Sequence, residues 1–516
     1  MVEILKTLVR TQDMPLSQLL IFQPGPQSVI LLLTFQRQVD STPVMRSEPN
    51  QRRQRASRAC DFCHARGLRC LQAQESRADC VTCTNYGVKC TMNRPIRRRG
   101  RKPTVPGSDE LDDGQPKDED PGFKSVRTIR RLIRIYCNTM YQCYFPFLSE
   151  SDLLGRWETG VPDQDGASYL LLMAVCAVSC QAAALNAVFD DALLEGLCVP
   201  ESDQYFSEAV SKVPARIGQS ESQDLDYLRS FGLLAVYSLQ CGNHSDLHRY
   251  LGLYHALVAQ TGLHDESRWP ELPMTEVDDR RRLFWCVYRL EIHSACVLGH
   301  VVRLPESQVS VLYPRKTTSM DAETQAWTLG WDYITDLFRL LEYAISSLRG
   351  KNRKPGLVVF HDGPSPTTLL GSLARLKAGK SRTLLDWTEP GNQSQSNRCR
   401  YMTVQINCTE ALVSIMTLLC CQAPVREVVD IAESFLDQVT KAPLIMFKVA
   451  SSQIVHQLLG VGHMLLNASR YDDGQLRSEA KRLVEVLADL VKNLEHDIPA
   501  AAEAGERLLR LADAAR

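Results

Sequence analysis

Apolar residues recur every three or four positions along most of the chain from about Val126 onward. This is the period of an α-helix with one buried face. The first stripe of this kind consists of Val126, Ile129, Ile133, Tyr136, Met140 and Cys143. Further amphipathic runs predict helices over Asp224–Gln240, Ser245–Gln260 and Thr275–Leu298. No region shows several alternating strand patterns, so the chain is predicted to be mainly α.

Residues that commonly stop or cap a helix indicate where two of these helices end or begin. Gly262 follows the second run, where a glycine commonly stops a helix. Thr275 and Asp278 open the third run at the spacing of a capping box, and we expect them to cap it.

The helical pattern divides into parts. We expect a helical domain over 123–349, a loop-rich segment with one short helix over 350–399, and C-terminal helices over 400–516. Breaks are expected near Tyr471–Gly474 and at Pro499. One C-terminal leucine stripe fits either bundle packing or a dimeric coiled coil, and its short length favours packing. It comprises Leu476, Ala480, Leu483, Leu487, Leu490 and Leu494.

Membrane and secretory interpretations are not favoured. The longest apolar candidate seen in the sequence, Val29–Phe35, is far shorter than the ~20 residues that a membrane-spanning helix needs. The N-terminus lacks a basic start, an apolar core and a small-residue cleavage site. We interpret residues 1–50, which show no sustained period, as disordered.

Charge is concentrated in one segment. The 516 residues carry a net charge of −1, yet residues 51–102 hold fourteen Lys or Arg against three acids. Residues 103–122 carry seven acids between Pro and Gly residues and are predicted to be a linker. A short basic head on a mildly acidic body is typical of a protein that binds a polyanion.

Six of the 18 cysteines lie in that basic head. Each half of it holds a CxxC pair and a third cysteine seven residues later. A CxxC pair lets two thiolates bind one tetrahedral metal from a tight turn. Six thiolates can satisfy two Zn²⁺ ions if the halves share two sulfurs, and metal binding would then supply the folding energy of the segment. The predicted ligands are Cys60, Cys63, Cys70, Cys80, Cys83 and Cys90.

A zinc ribbon or RING-like module is the alternative. It is less favoured, because such modules usually need eight ligands or histidines at set places. His64 is the one histidine of the window and is not predicted to bind the metal.

The spacing, with flanks ACDFCHARGLRC and CTNYGVKCTMNRPIRRRGRK, resembles the binuclear zinc cluster of fungal transcription factors. The resemblance implies a two-helix module that reads CGG triplets in the major groove, often as a dimer. Arg66 and Arg69 occupy basic positions of the family motif, whereas Gly67 replaces its usual Lys or Arg. The basic tail could clamp the DNA backbone or act as a nuclear import signal. The candidate DNA contacts are Arg58, His64, Arg66, Arg69, Arg97, Arg98, Arg99, Arg101 and Lys102.

A second resemblance covers about residues 126–315. The strings IYCNTMYQCYFPFLSESDLL, QTGLHDES and DDRRRLFWCVYRLEIHSACVLGHVVRLPESQVSVLYP resemble motifs of the fungal-specific transcription factor domain. The family implies an all-helical domain that restrains or relays activation. From the residues themselves we expect core packing, and we expect Glu291, which lies near the buried face, to pair with a buried Arg or polar group. The buried face is predicted to hold Phe284, Val287, Tyr288, Ile292 and Ala295.

His244 and His248 stand four residues apart and could share a metal, but no general base accompanies them. The chain shows no GxSxG, phosphate loop or HExxH motif, so an enzyme is disfavoured. The leading hypothesis is a nuclear, zinc-dependent transcription factor that binds double-stranded DNA, with co-regulators, a homodimeric partner or a small effector as further partners. The alternative is a corepressor-type regulator that acts through protein contacts alone.

Overall fold

The computed structural model describes residues 60–61, 80, 83, 89–91, 124–144, 146–158, 166–217, 221–315, 320–351, 365–380, 396–470, 474–495, 498 and 501–514. The described cysteines up to Cys90 belong to one compact unit, and the residues from Lys124 onward belong to another. The predicted tail 1–50 and the acidic linker 103–122 lie outside the described residues.

Helices make up the second unit, and the described residues contain no β-strand, which confirms the mainly α fold. In chain order they are α1 Val126–Asn138, α2 Met140–Cys143, α3 Glu150–Glu158, α4 Gly166–Ala184, α5 Ser202–Ser211, α6 Glu221–Gln240, α7 His244–Thr261, α8 Met274–Leu298, α9 Ala322–Lys351, α10 Pro366–Ala378, α11 Asn397–Cys420, α12 Val425–Val439, α13 Leu444–Ala450, α14 Ser452–Ser469, α15 Gly474–Asn493 and α16 Ala504–Ala514.

The three long amphipathic runs fold as α6, α7 and α8, close to their predicted bounds. Gly262 ends α7 with φ of 70°, a left-handed conformation that glycine adopts without strain. The capping-box expectation for α8 is wrong. The helix begins one residue earlier, its N-cap is Pro273, and Asp278 binds other groups instead.

Helix α4 is apolar on every face and is buried against α1, α5 and α6. By length and composition, α4 and α11 could each cross a membrane, and α13 with α14 would add a third span if that bent pair is taken as one. The sequence prediction overlooked all of these segments. In the structure 89% of the apolar window of α4 and 78% of that of α11 are buried by other parts of the protein. Their hydrophobicity is therefore used for protein packing here.

One hydrophobic core runs through the helical unit and joins the N-terminal and C-terminal helices, chiefly where α9 packs on α11. The C-terminal leucine stripe faces this core. Ala480, Leu483, Leu487 and Leu494 are buried in contacts of α15 with α12, α14 and α16. Bundle packing thus accounts for the stripe. Helix α10 is the described helix within the loop-rich segment.

Candidate functional sites: a thiol cluster and a clamped loop

Four cysteines of the basic head bring their sulfurs together. The Sγ atoms of Cys60, Cys80, Cys83 and Cys90 all lie within 4.8 Å of one another. The Sγ atom of Cys60 is 3.8 Å from that of Cys80 and 3.5 Å from that of Cys83. The backbone N–H of Cys83 donates to the Cys80 sulfur at 3.3 Å, as the tight turn of a CxxC pair allows.

These distances fit a tetrahedral zinc site. Four sulfurs at ~2.3 Å from one zinc ion stand about 3.8 Å from each other. A disulfide would bring two sulfurs to ~2.0 Å, and all four thiols are free. Burial and the neighbouring thiols raise the pKa of the Cys83 thiol. Ionising several thiols this close together is unfavourable unless a cation binds them, and four sulfurs at these distances fit the metal that the spacing predicted.

The four sulfurs come from both halves of the motif. Cys80, Cys83 and Cys90 form the second half, and Cys60 reaches them from the first half. Hydrogen bonds join the residues that follow the first and the last cysteine of the motif. Asp61 N–H donates to Thr91 O at 2.9 Å, and the Thr91 hydroxyl donates to the Asp61 carboxylate at 3.0 Å.

The remaining predicted site residues lie outside the described residues. These are the ligands Cys63 and Cys70 and the candidate DNA contacts Arg58, His64, Arg66, Arg69, Arg97, Arg98, Arg99, Arg101 and Lys102.

In the helical unit, the motif-bearing helix α8 holds the loop 299–315 along one face. Asp278 Oδ1 accepts a hydrogen bond from Arg315 N–H at 3.1 Å. The Trp285 indole N–H donates to Leu312 O at 3.1 Å. Arg281 forms a bidentate ion pair with Glu266 at 2.7 and 2.8 Å, and Glu266 accepts from Leu312 N–H at 2.7 Å. The helix residues of this clamp recur every three or four positions and so share one side of the helix.

Glu291 holds the start of the same loop. Its side chain is 1% exposed, and Oε1 accepts from Arg303 N–H at 2.8 Å and from the Arg303 guanidinium at 3.3 Å. Oε2 lies 2.7 Å from His255 Nε2. The expectation that Glu291 pairs with a buried polar group is confirmed, and its role is to anchor loop backbone.

A second carboxylate, Glu342 of α9, continues the clamp. Its Oε2 accepts from the Tyr288 hydroxyl at 2.7 Å and from Glu306 N–H at 3.0 Å. Burial raises the pKa of Glu342 despite these two donors. The five apolar positions predicted for the buried face of α8 are all buried. The motif residues of α8 therefore have a structural role: one face of the helix packs into the core, and another holds the loop 299–315.

The histidine pair His244 and His248 does not form a metal site by itself. His248 Nε2 lies 2.6 Å from Nε2 of His300, and the Arg303 guanidinium donates to His248 Nδ1 at 2.8 Å. Since arginine can only donate, Nδ1 accepts, and the hydrogen of the neutral ring is on Nε2. Both ring nitrogens of His248 are therefore engaged by neighbouring side chains. Sequence reasoning missed His300, which is 52 residues away in the chain.

Comparison with known proteins gives one family match. Residues 133–354 match the model of the fungal specific transcription factor domain. The match includes the loop clamp.

Curated relatives cover different shares of the chain. The maltose fermentation regulatory protein MAL13 of Saccharomyces cerevisiae is 22% identical over 49% of this chain and 54% of its own length. The nitrogen assimilation transcription factor nit-4 of Neurospora crassa is 25% identical over 40% of this chain and 18% of its own length. The probable sucrose utilization protein SUC1 of Candida albicans is 22% identical over 84% of each.

The chain thus spans 54% or less of the length of the first relatives it matches. No solved structure matches it. The descriptions of the matched family and of these regulatory relatives refer to transcription or regulation, and none of them names an enzymatic activity.

Proposed function

We propose that this chain, which carries a regulatory domain of the fungal specific transcription factor family, is a transcription factor that binds DNA through its zinc-held head. The observation that carries the proposal is the four-sulfur cluster within a segment of fourteen Lys or Arg and three acids. The family match supports the regulatory part, and the cluster supports the DNA-binding part.

Two zinc ions are proposed for the head, with Cys60 and Cys80 as the shared sulfurs. Cys60 joins the second half of the motif in the described cluster, and its sulfur lies 3.8 Å from that of Cys80. Because the two halves have the same spacing, Cys80 would complete the first half in the same way, together with Cys63 and Cys70. The metals would supply the cross-links that a segment with so small a core needs in order to fold.

The basic residues would then contact the DNA duplex. An arginine such as Arg66 can pair bidentately with guanine O6 and N7, which contributes ~1–3 kcal/mol of discrimination. The basic tail of residues 97–102 would meet phosphates, which adds affinity without sequence information. Neutralising about five phosphates gives a log–log salt slope of roughly −4 to −5. We propose CGG-like half-sites, with Gly67 weakening the preference.

This function places the protein in the nucleus at genes transcribed by RNA polymerase II, with co-regulators or a second copy of the chain as partners. Glu291, Trp285 and the other clamp residues would give the helical unit a fixed surface for such contacts.

The test combines zinc analysis with selection of bound sites from random DNA, using the full chain. We expect two zinc ions per wild-type chain and enrichment of a CGG-related motif. Cys60→Ala should lose both ions and the enrichment, because the removed sulfur serves both sites. Cys241→Ala, at an exposed cysteine of the helical unit, is the matched control and should keep both.

Three outcomes would count against the proposal. Wild-type protein with fewer than two zinc ions would refute the two-metal head. Loss of a single ion in Cys60→Ala would refute the sharing of that sulfur. Two bound ions without enrichment of any sequence at physiological salt would favour the corepressor-type regulator. Separately, Gly67→Lys should sharpen CGG selection if position 67 reads bases.

A further inference from the structure

The corner between α13 and α14 bends where the local sequence gives no reason for a bend. The two helices are bent by 104° relative to each other, and Ser451 alone separates them. Sharp bends in helices normally occur at proline or glycine. Neither residue type occurs between Leu444 and Leu459. Tertiary packing therefore imposes this bend on a stretch that could continue as one helix.

Ser451 has a backbone conformation that suits glycine. Its φ is 53° and its ψ is −141°, a region that glycine populates and that other residues rarely adopt. Its N–H ends α13 by donating to Phe447 O at 2.8 Å and to Lys448 O at 3.1 Å. A side chain at this position strains the backbone, and such strain persists only where the surrounding structure enforces it.

Polar groups at this corner are poorly paired. Ser451 is 4% exposed, but its hydroxyl caps no N–H of α14 and has no partner among the described residues. The side-chain oxygen of Gln181, which is 8% exposed, also has no partner there. Both residues line a small cavity of about 10 Å³. Unpaired buried polar groups destabilise a fold, so the bent corner carries this cost in addition to the strain.

Apolar burial keeps the corner bent. Helix α13 has only seven residues, and it packs on α11 with Met446 and Phe447 fully buried. Leu444, at the start of α13, is 43% exposed. The packing of one short helix is thus set against the strain and the unpaired groups at its end.

We propose that this corner is a conformational switch. In its minor state α13 leaves α11 and continues α14 as one helix from Leu444 to Ser469. Ser451 then has helical dihedral angles without strain, and carbonyls of α13 accept from the first N–H groups of α14. Met446 and Phe447 lose their burial in this state, so the bent state predominates. The switch gives the helical unit a second conformation, and it does not depend on DNA binding.

Hydrogen–deuterium exchange of the full chain at pH 7 tests this proposal, with mass spectrometry of peptides from α13 and from the middle of α11. We expect the α13 amides to exchange faster than those of α11, because detachment of α13 does not require global unfolding. Ser451→Gly and Ser451→Ala both remove the unpaired hydroxyl, but only glycine relieves the strain and disfavours the continuous helix. Exchange of α13 should therefore be about tenfold slower in Ser451→Gly than in Ser451→Ala, with exchange of α11 unchanged.

Gln422→Gly is the matched control. It relieves another positive φ, of 54°, at the turn that follows α11, and it should leave the exchange of α13 as in wild type. Equal exchange of α13 in Ser451→Gly and Ser451→Ala would overturn the proposal. Wild-type α13 amides that exchange no faster than those of α11 would also overturn it, because the corner would then open only when the whole unit unfolds.

Discussion

Acidification should destabilise the helical unit through two histidines of α14. Burial, together with the positive charge of Arg507, lowers the pKa of His463 to about 4. Burial, together with His244 and Arg507, lowers the pKa of His456 to about 4 as well. His293 packs against His456 with ring centroids 5.8 Å apart, and burial lowers its pKa in the same direction. All three rings are therefore neutral at pH 7 in the folded protein.

The direction and the magnitude of this loss of stability follow from proton linkage. An unfolded chain protonates histidine with a pKa of about 6.5, so between pH 6.5 and pH 4 the unfolded state binds protons that the folded state does not. The stabilisation is complete above pH 6.5 and is lost as the pH falls. For one site with pKa values of about 6.5 and 4, the free energy of unfolding falls by roughly 2 kcal/mol between pH 7 and pH 5. His456 and His463 together give about 3–4 kcal/mol.

Urea unfolding followed by helical circular dichroism, at pH 7 and pH 5, measures this loss. The decisive comparison is His456→Gln, whose stability should fall by about 2 kcal/mol less than that of wild type over the same interval. Gln457→Leu replaces a buried neighbour that does not titrate, and it should parallel wild type. If His456→Gln also parallels wild type, the reasoning that His456 stays neutral in the folded core is refuted.

Two further predictions concern the clamp and the C-terminal packing. Glu291→Gln should lower the free energy of unfolding by about 3 kcal/mol in the same urea assay, because it removes a buried charge that binds Arg303 and the loop backbone. Glu433→Gln is the control, at an ion pair whose side chains are 60% exposed, and it should change the free energy of unfolding by less than about 1 kcal/mol. Equal losses in the two variants would contradict the clamp. Gly505→Ala should lower the stability by about 1–3 kcal/mol, because the added Cβ would stand 2.8 Å from Ala488 O. Gly252→Ala within α7 has open space around the added Cβ and should raise the stability by up to about 1 kcal/mol. Thermal unfolding measures both variants, and a stabilised Gly505→Ala would show that α16 can shift.

The apolar period was sufficient for the fold class, and the cysteine spacing pointed to four residues whose sulfurs meet. A CxxC turn is a local structure, so the closeness of the Cys80 and Cys83 sulfurs can be predicted from neighbouring residues. A helix buries the residues three and four positions apart, so the apolar period by itself assigns Phe284, Val287 and Ile292 to the core face of α8, where they are buried. Gly262 ends its helix for a similarly local reason.

The tertiary structure decided which distant groups meet. Cys60 joins the sulfurs of the second half of its motif, Glu291 receives the backbone of Arg303, and His248 meets His300. The capping box failed because Asp278 binds Arg315 across the fold in place of its own helix end. The apolar helices α4 and α11 resemble membrane spans until their neighbours are known. Sequence period reports which face of an element is buried, whereas the partner on the other side of that face is set by packing, which no local pattern encodes.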